Sequence, residues 1–449
     1  GNLIFSGTVN LGASVTRTIT LGTSATYSLN GIISGSSSNL ILAATAAGTL
    51  GLGGANTYGG NTTINGGTLR PTVTGALPST TALSFANTAG AILDLSTNGI
   101  TPTVASLSGG GSTGGNISFG ASITTTLTVG NASNTTYSGL ISGASLTTGG
   151  LVKVGSGILT LGHTANTYTG TTTITAGELR LNPSTITGSF ASQIVLNGGK
   201  LSTTSIAAST VFTSTSTLKL DATSTIDLGS NAHDLKFAAS NGVTWNGTAL
   251  VINNWTGTPA ASGTAGRIFV GSANTHLDAG QLAKITFTGY VGAMLLATGE
   301  LVPVSIPTTY TWDGSASSDW ATGANWDLGT VPLSTDHVVI PTAASYTNAL
   351  IITGARTVTD FTVNGTGTYS MAAAASLTVN GTFNYASSVA ATYNCASTLT
   401  IASTASQTIP AANYGNLDLT GGNRTLASSG TIGICGTFTR GAGTYTITG

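Results

Sequence analysis

Two stretches of this 449-residue chain share one pattern at an offset of 110 positions. Residues 50–70 read LGLGGANTYGGNTTINGGTLR, and residues 159–180 read LTLGHTANTYTGTTTITAGELR. Asn56 matches Asn166, Tyr58 matches Tyr168, Gly60 matches Gly170 and Ile64 matches Ile174; Gly67 with Gly177, Leu69 with Leu179 and Arg70 with Arg180 complete the set. Upstream, TYSLNGIISG (26–35) corresponds to TYSGLISG (136–143). A repeat this long, assembled from strand-sized pieces, suits several coils of a stacked solenoid better than one sandwich blade.

The pieces themselves alternate. Leu50-Gly51-Leu52, Leu159-Thr160-Leu161, Leu218-Lys219-Leu220 and Ile226-Asp227-Leu228 place an apolar residue at every second position. That period belongs to strands with one buried and one solvated face. The intervening positions are mostly Thr, Ser and Asn; Thr favours strands, while Asn and Gly supply turns. Serine and threonine make up about 30% of the chain, and apolar residues 40%. So even an apolar content distinguishes the chain from a disordered Gly/Ser-rich segment. Few helix formers remain. The expected class is all-β, a parallel β-solenoid (β-helix).

Only 25 residues are charged, 12 basic and 13 acidic, giving a net charge of −1. There is no basic run, which excludes a nucleic-acid footprint. No apolar stretch of about 18 residues occurs, so no transmembrane helix is expected. The chain starts at Gly1 and ends at Gly449 within strand rhythm. The expectation at this level is a processed product or fragment whose uncapped ends continue or polymerise.

The word GxNTYxGxTTIxxGxLR, occurring twice, resembles the autotransporter-associated β-strand repeat of bacterial passenger regions. The resemblance covers roughly residues 1–182. Residues 183–305 look like the closing part of such proteins, with VINNWTGTP (251–259), GRIFVG (266–271), HLDAGQLAKITF (276–287) and LLATGELVP (295–303). It implies a right-handed parallel β-solenoid, exported to the extracellular space or cell surface of a Gram-negative-type bacterium, and it implies no activity. The C-terminal words QTIPAANYGNLDLTG (407–421) and RTLASSGTIGICGTFTRGAGTYTITG resemble repeats of large Bacteroidota surface adhesins.

A boundary is expected near residues 303–310, where VPVSIPTTY carries two prolines. The expected organisation is a solenoid over 1–305, a Pro/Trp-rich linker and cap over 306–345, and a second short-repeat solenoid over 346–449. Trp312, Trp320 and Trp326 fall in the cap, with Asp313, Asp319, Asp327 and Asp336. Large aromatics there suit closure of an open core; a sugar-stacking platform and a structural Ca²⁺ site are the alternatives. Otherwise no cofactor is expected.

Catalytic candidates are sparse. A glycosidase needs two carboxyl groups within about 5–10 Å. Asp221 and Asp227 both face outward but lie on separate strand segments, and Lys219 shares a face with Asp221, which suits a surface ion pair. His163, His233, His276 and His337 form no ligand-spaced pair. GGGSTGG (109–115) lacks the Lys and following helix of a phosphate cradle and is expected as a loop. Cys395 and Cys435, 40 residues apart, allow either a disulfide or two isolated thiols. Cys435 takes the place of Asn364 and Asn380 in its sibling words, and so should point away from the local core.

The function expected from these features is structural and adhesive, without catalysis. Partners would be other copies or further repeats of the same chain, and host, neighbouring-cell or polysaccharide surfaces. A carbohydrate-binding or polysaccharide-processing β-helix is the alternative, and a self-stacking fibre subunit a third reading.

Overall fold

The computed structural model describes residues 3–447, apart from 23, 46, 97–98, 121–123, 144–149, 183–186, 191, 205, 207, 209, 215, 291, 305–306, 386–389 and 428. The chain is all-β, 45% strand and 3% helix, built of parallel stacked coils. It divides into two compact units, Gly1–Val304 and Ser305–Gly449. The Pro-containing stretch expected at the boundary includes residues 305 and 306, which lie outside the described residues.

In the first unit the alternation places one side chain inward and the next outward. The longest ladder has twelve strands, from Thr16–Leu21 to Ile285–Phe287, each hydrogen-bonded in parallel to the strand one coil away. Like stacks on like: Leu50 on Leu69, Leu83 on Leu107 and Leu159 on Leu179. All six are at most 1% exposed. Each buried leucine side chain contributes about 1.5–3 kcal/mol.

Coil length varies, and the steps just named span 19, 24 and 20 residues (69 − 50, 107 − 83, 179 − 159). The last step of the ladder, Leu250 to Ile285, takes 35 (285 − 250). That final coil carries the helix Ala279–Leu282, opened by an Asp278/Gln281 capping box. At a strand spacing of about 4.8 Å, twelve rungs run about 53 Å. Uniform coils of about 20–25 residues over residues 1–305 would have reached about 60–70 Å; the inserted helix and loops consume sequence without adding rungs.

The unit ends by reversing direction. Gly266–Val270 pairs antiparallel with Glu300–Val304, which forms a hairpin with Gly292–Leu295. An antiparallel hairpin laid on a parallel edge removes a ready template for further pairing.

The second unit repeats the design in two main ladders. One runs Thr309–Thr311, His337–Ile340, Asp360–Val363, Phe383–Tyr385; the other runs from Ala355–Val358 to Phe438–Arg440. Trp312, Trp320 and Trp326 lie in its hydrophobic core.

Candidate functional site

The repeat signature is the first candidate, and its polar members turn inward. Asn56 is buried between coils: its Oδ1 accepts the Ile33 N–H at 2.8 Å, and its Nδ2 donates to the Ala76 carbonyl at 2.7 Å. Asn166 accepts the Ile141 N–H at 2.9 Å in the same manner. Tyr58 shares a hydrogen bond with Thr62 at 2.7 Å; Thr62 meets Thr81 at 2.9 Å, and Thr81 donates to the Gly60 carbonyl. Tyr168, Thr172 and Ser192 repeat that relay. Burial raises the Tyr58 phenol to about 12 against the Thr62 hydrogen bond, and raises Tyr168 further.

The remaining signature positions serve packing and turns. Ile64, Leu69, Ile174 and Leu179 are core residues. Gly67 and Gly177 hold φ +75° and +63°, and a Cβ on Gly177 would lie 2.3 Å from the Gly155 carbonyl oxygen. Gly60 and Gly170 sit in the turns between the conserved-pattern Tyr and Ile of each copy. Arg70 holds Asp94 at 2.7 Å, and Arg180 holds Glu178 at 2.7 Å. The signature therefore specifies a coil and its contacts with the neighbouring coils.

Charged groups on the outer face are bound to one another. Glu178 also meets Lys200 at 2.6 Å, and Lys200 reaches Asp227 at 3.7 Å. Burial would raise the Glu178 carboxyl, but hydrogen bonds from Lys200 and Arg180 hold it below its ordinary value. Asp221 is taken by Lys219 at 2.9 Å and by Asn246, whereas Asp227 is taken by Asn254. The two aspartates stand in different ladders, Leu218–Ala222 and Ser224–Asp227.

Histidines are likewise occupied. His233 is buried, with Nδ1 on the Asn231 carbonyl at 2.8 Å and Nε2 on Thr203 Oγ1 at 2.7 Å. His276 Nδ1 accepts the Ser272 N–H, and His337 pairs with Asp360, its register partner, at 2.6 Å. His163 has an interaction of its own. Among the described residues no group of three or more His, Cys, Asp or Glu is arranged to hold a metal.

Trp312, Trp320 and Trp326 are buried to 0–1% exposure, so their faces offer no sugar platform. Trp326 packs edge-on against Trp312 at 5.0 Å and Trp320 at 4.9 Å, and donates to the Trp320 carbonyl. The nearby acids accept separate backbone amides: Asp313 from Ser315, Asp319 from Ala321, Asp327 from Thr311, and Asp336 from Thr308 and Leu333. They hold turns and do not converge.

Cys395 and Cys435 are joined, with Cα atoms 5.4 Å apart. Each precedes a strand of one ladder, and one coil lies between them, containing Gly415. A Cβ on Gly415 would lie 2.3 Å from the Asn394 carbonyl oxygen, so only glycine lets the turns close up. Cys435 is exposed.

Several structural residues escaped the sequence reading. Asn325 is fully buried and accepts the Ala316 and Ser317 amides. Lys153 and Arg424 are each 1% exposed inside their coils; Lys153 donates to three carbonyls and Arg424 to five. Burial lowers both side-chain pKa values, with Glu178 opposing the effect at Lys153 and Tyr445 at Arg424. Lys153 had a legible signal, since its register partners Val129 and Ile174 are core residues.

Comparison with known families bears on this geometry. The passenger-associated-transport-repeat family matches residues 45–70 and 151–181, the two stretches that hold the Asn–Tyr–Thr networks. The chain carries autotransporter passenger-type repeats in these two stretches. The passenger-type repeats thus coincide with coils whose buried carboxamides bind neighbouring coils directly and whose phenols do so through a threonine hydroxyl. A domain of unknown function, DUF8693, matches residues 311–427, within the second unit. The adhesin BmaC autotransporter of Brucella suis biovar 1 (strain 1330) is 39% identical over 107 residues, 22% of this chain. The match spans only 3% of that protein's length. No solved structure matches. Among the described residues no helix is long and apolar enough to cross a membrane.

Proposed function

We propose that this adhesin-like passenger segment, a cell-surface or extracellular chain, works without catalysis, giving reach and many weak contacts to another surface. The observation that carries this reading is the mutual occupation of polar groups. The signature residues bind neighbouring coils, and Asp221 and Asp227 are held by different partners in different ladders. Weak contacts repeated along a stacked array add avidity without any strong single site. The similarity to the BmaC adhesin supports the same class. Surfaces of host or neighbouring cells, or their polysaccharides, are the proposed partners.

Beads carrying the purified chain at graded density test the proposal. Retention on cell or polysaccharide surfaces should rise faster than in proportion to density. Retention equal to bare beads would overturn it. Release of polysaccharide fragments, lost in Asp221→Asn or Asp227→Asn, would establish a processing enzyme instead.

Self-stacking is a second reading, favoured by the strand Leu3–Phe5. Its three residues are 49–59% exposed, beside an apolar cavity of about 430 Å³ lined by Val9, Ile19, Leu21 and Tyr27. Filaments that lengthen with concentration in electron micrographs would establish it, and discrete particles at every concentration would dismiss it.

A further inference from the structure

A cleft of about 620 Å³ lies in the second unit, where two successive coils part. The ladder through Thr309–Thr311 ends at Phe383–Tyr385, and the next coil's strand, Gln407–Ile409, belongs to a different ladder. The gap is held by one side chain. Gln407 Oε1 accepts the Phe383 N–H at 2.8 Å, while its Nε2 donates to the Gly381 carbonyl at 2.7 Å. The glutamine thus imitates one peptide unit of a missing strand and spaces the coils apart.

The N–H of Phe361 points to the following coil, onto the Thr382 carbonyl. Strand backbone groups two residues apart point the same way, so Phe383 and Tyr385 aim theirs into the gap. Gln407 takes the first, and the Tyr385 N–H and the Phe383 carbonyl lie on the same side of the strand. Among the described residues no strand pairs with this edge. A three-residue edge with one amide already taken by Gln407 is too short a template for an added peptide strand.

The walls combine the half-buried Tyr385 ring and Pro410 with the exposed Asn384, Ser406 and Thr408. None of the described lining residues is charged. The volume falls within the ~300–1,000 Å³ of small-molecule sites. An aromatic side chain in the wall, carboxamide and hydroxyl groups at the rim, and no ion to match an ionic ligand are the chemistry of a neutral sugar. The geometry points to this cleft as a binding site for one or two residues of a neutral glycan chain. The assignment rests on the adhesive reading and names the ligand class and the place where it is held.

The test is binding of the full chain to a panel of neutral hexose and N-acetylhexosamine oligosaccharides, with sialylated and sulfated counterparts, by saturation-transfer NMR and calorimetry. Asn384→Ala removes an exposed rim carboxamide, and Ala411→Trp fills the cleft from its wall. Saturable binding of a neutral sugar, weakened about tenfold or more by either variant at unchanged melting temperature, is expected. A lack of neutral-sugar binding, binding confined to anionic sugars, or binding indifferent to both variants would overturn the assignment. Bead retention keeps the two readings apart. Retention that persists while the sugars fail defeats the cleft alone; loss of both defeats the adhesive reading as well.

Discussion

At the residue scale, the account rests on side chains that replace backbone partners between coils. Asn56 joins the Ile33 amide to the Ala76 carbonyl, so Asn56→Ala leaves both buried groups without that partner. The expected loss is about 2–6 kcal/mol, since each of the two orphaned buried groups costs about 1–3 kcal/mol; urea unfolding of the full chain measures it. Acid should act on the same unit in two stages. Burial lowers the pKa of His233 from 6.5, against the Asn231 hydrogen bond and the Asp234 charge. The unfolded chain therefore takes up a proton first, and stability is lost as pH falls below about 6.5 toward the lowered folded value. Glu178, held below 4.5, contributes stability above that value, which is lost as pH falls through its folded pKa. Urea midpoints measured against pH should show both stages, and His233→Gln should remove the upper one.

At the scale of elements, strands were legible and their interruptions were not. Period-2 alternation locates strands such as Leu218–Ala222, because it reports directly which face is buried. The helix Ala279–Leu282 lies within the word HLDAGQLAKITF, where four residues are too few for a helical period. Arg424 looks like a surface residue, and only the assembled turns supply its five carbonyls. The cleft beside Gln407 was equally hidden, because a ladder break depends on which coil the next strand joins. Two predictions belong here. Reduction, or the double change Cys395→Ser with Cys435→Ser, should cost the second unit about 3–4 kcal/mol for a loop of this length; melting with and without reductant checks it. Trp326→Ala should cost about 3–5 kcal/mol by emptying a buried aromatic cluster, read from the loss of tryptophan near-UV signal at lower denaturant.

At the scale of the molecule, each rung meets its neighbours, so stability accumulates along the stack as a sum of local terms. The doubled signature made this architecture legible, because a pattern that recurs over strand-sized pieces suits stacked coils. Ligand identity is written in neither period nor composition, since Ser, Thr and Asn clothe the whole surface. The central claim, that the chain stacks coil upon coil in parallel register, is tested most directly by paired cysteines. Ser84 and Ser108 face each other one coil apart at the half-buried surface, whereas Thr128 belongs to another ladder. The double variant Ser84→Cys with Ser108→Cys should form a disulfide under mild oxidation, identified by mass spectrometry of the linked peptides, and Ser84→Cys with Thr128→Cys should not. Efficient linkage of the second pair, or none in the first, would contradict the account.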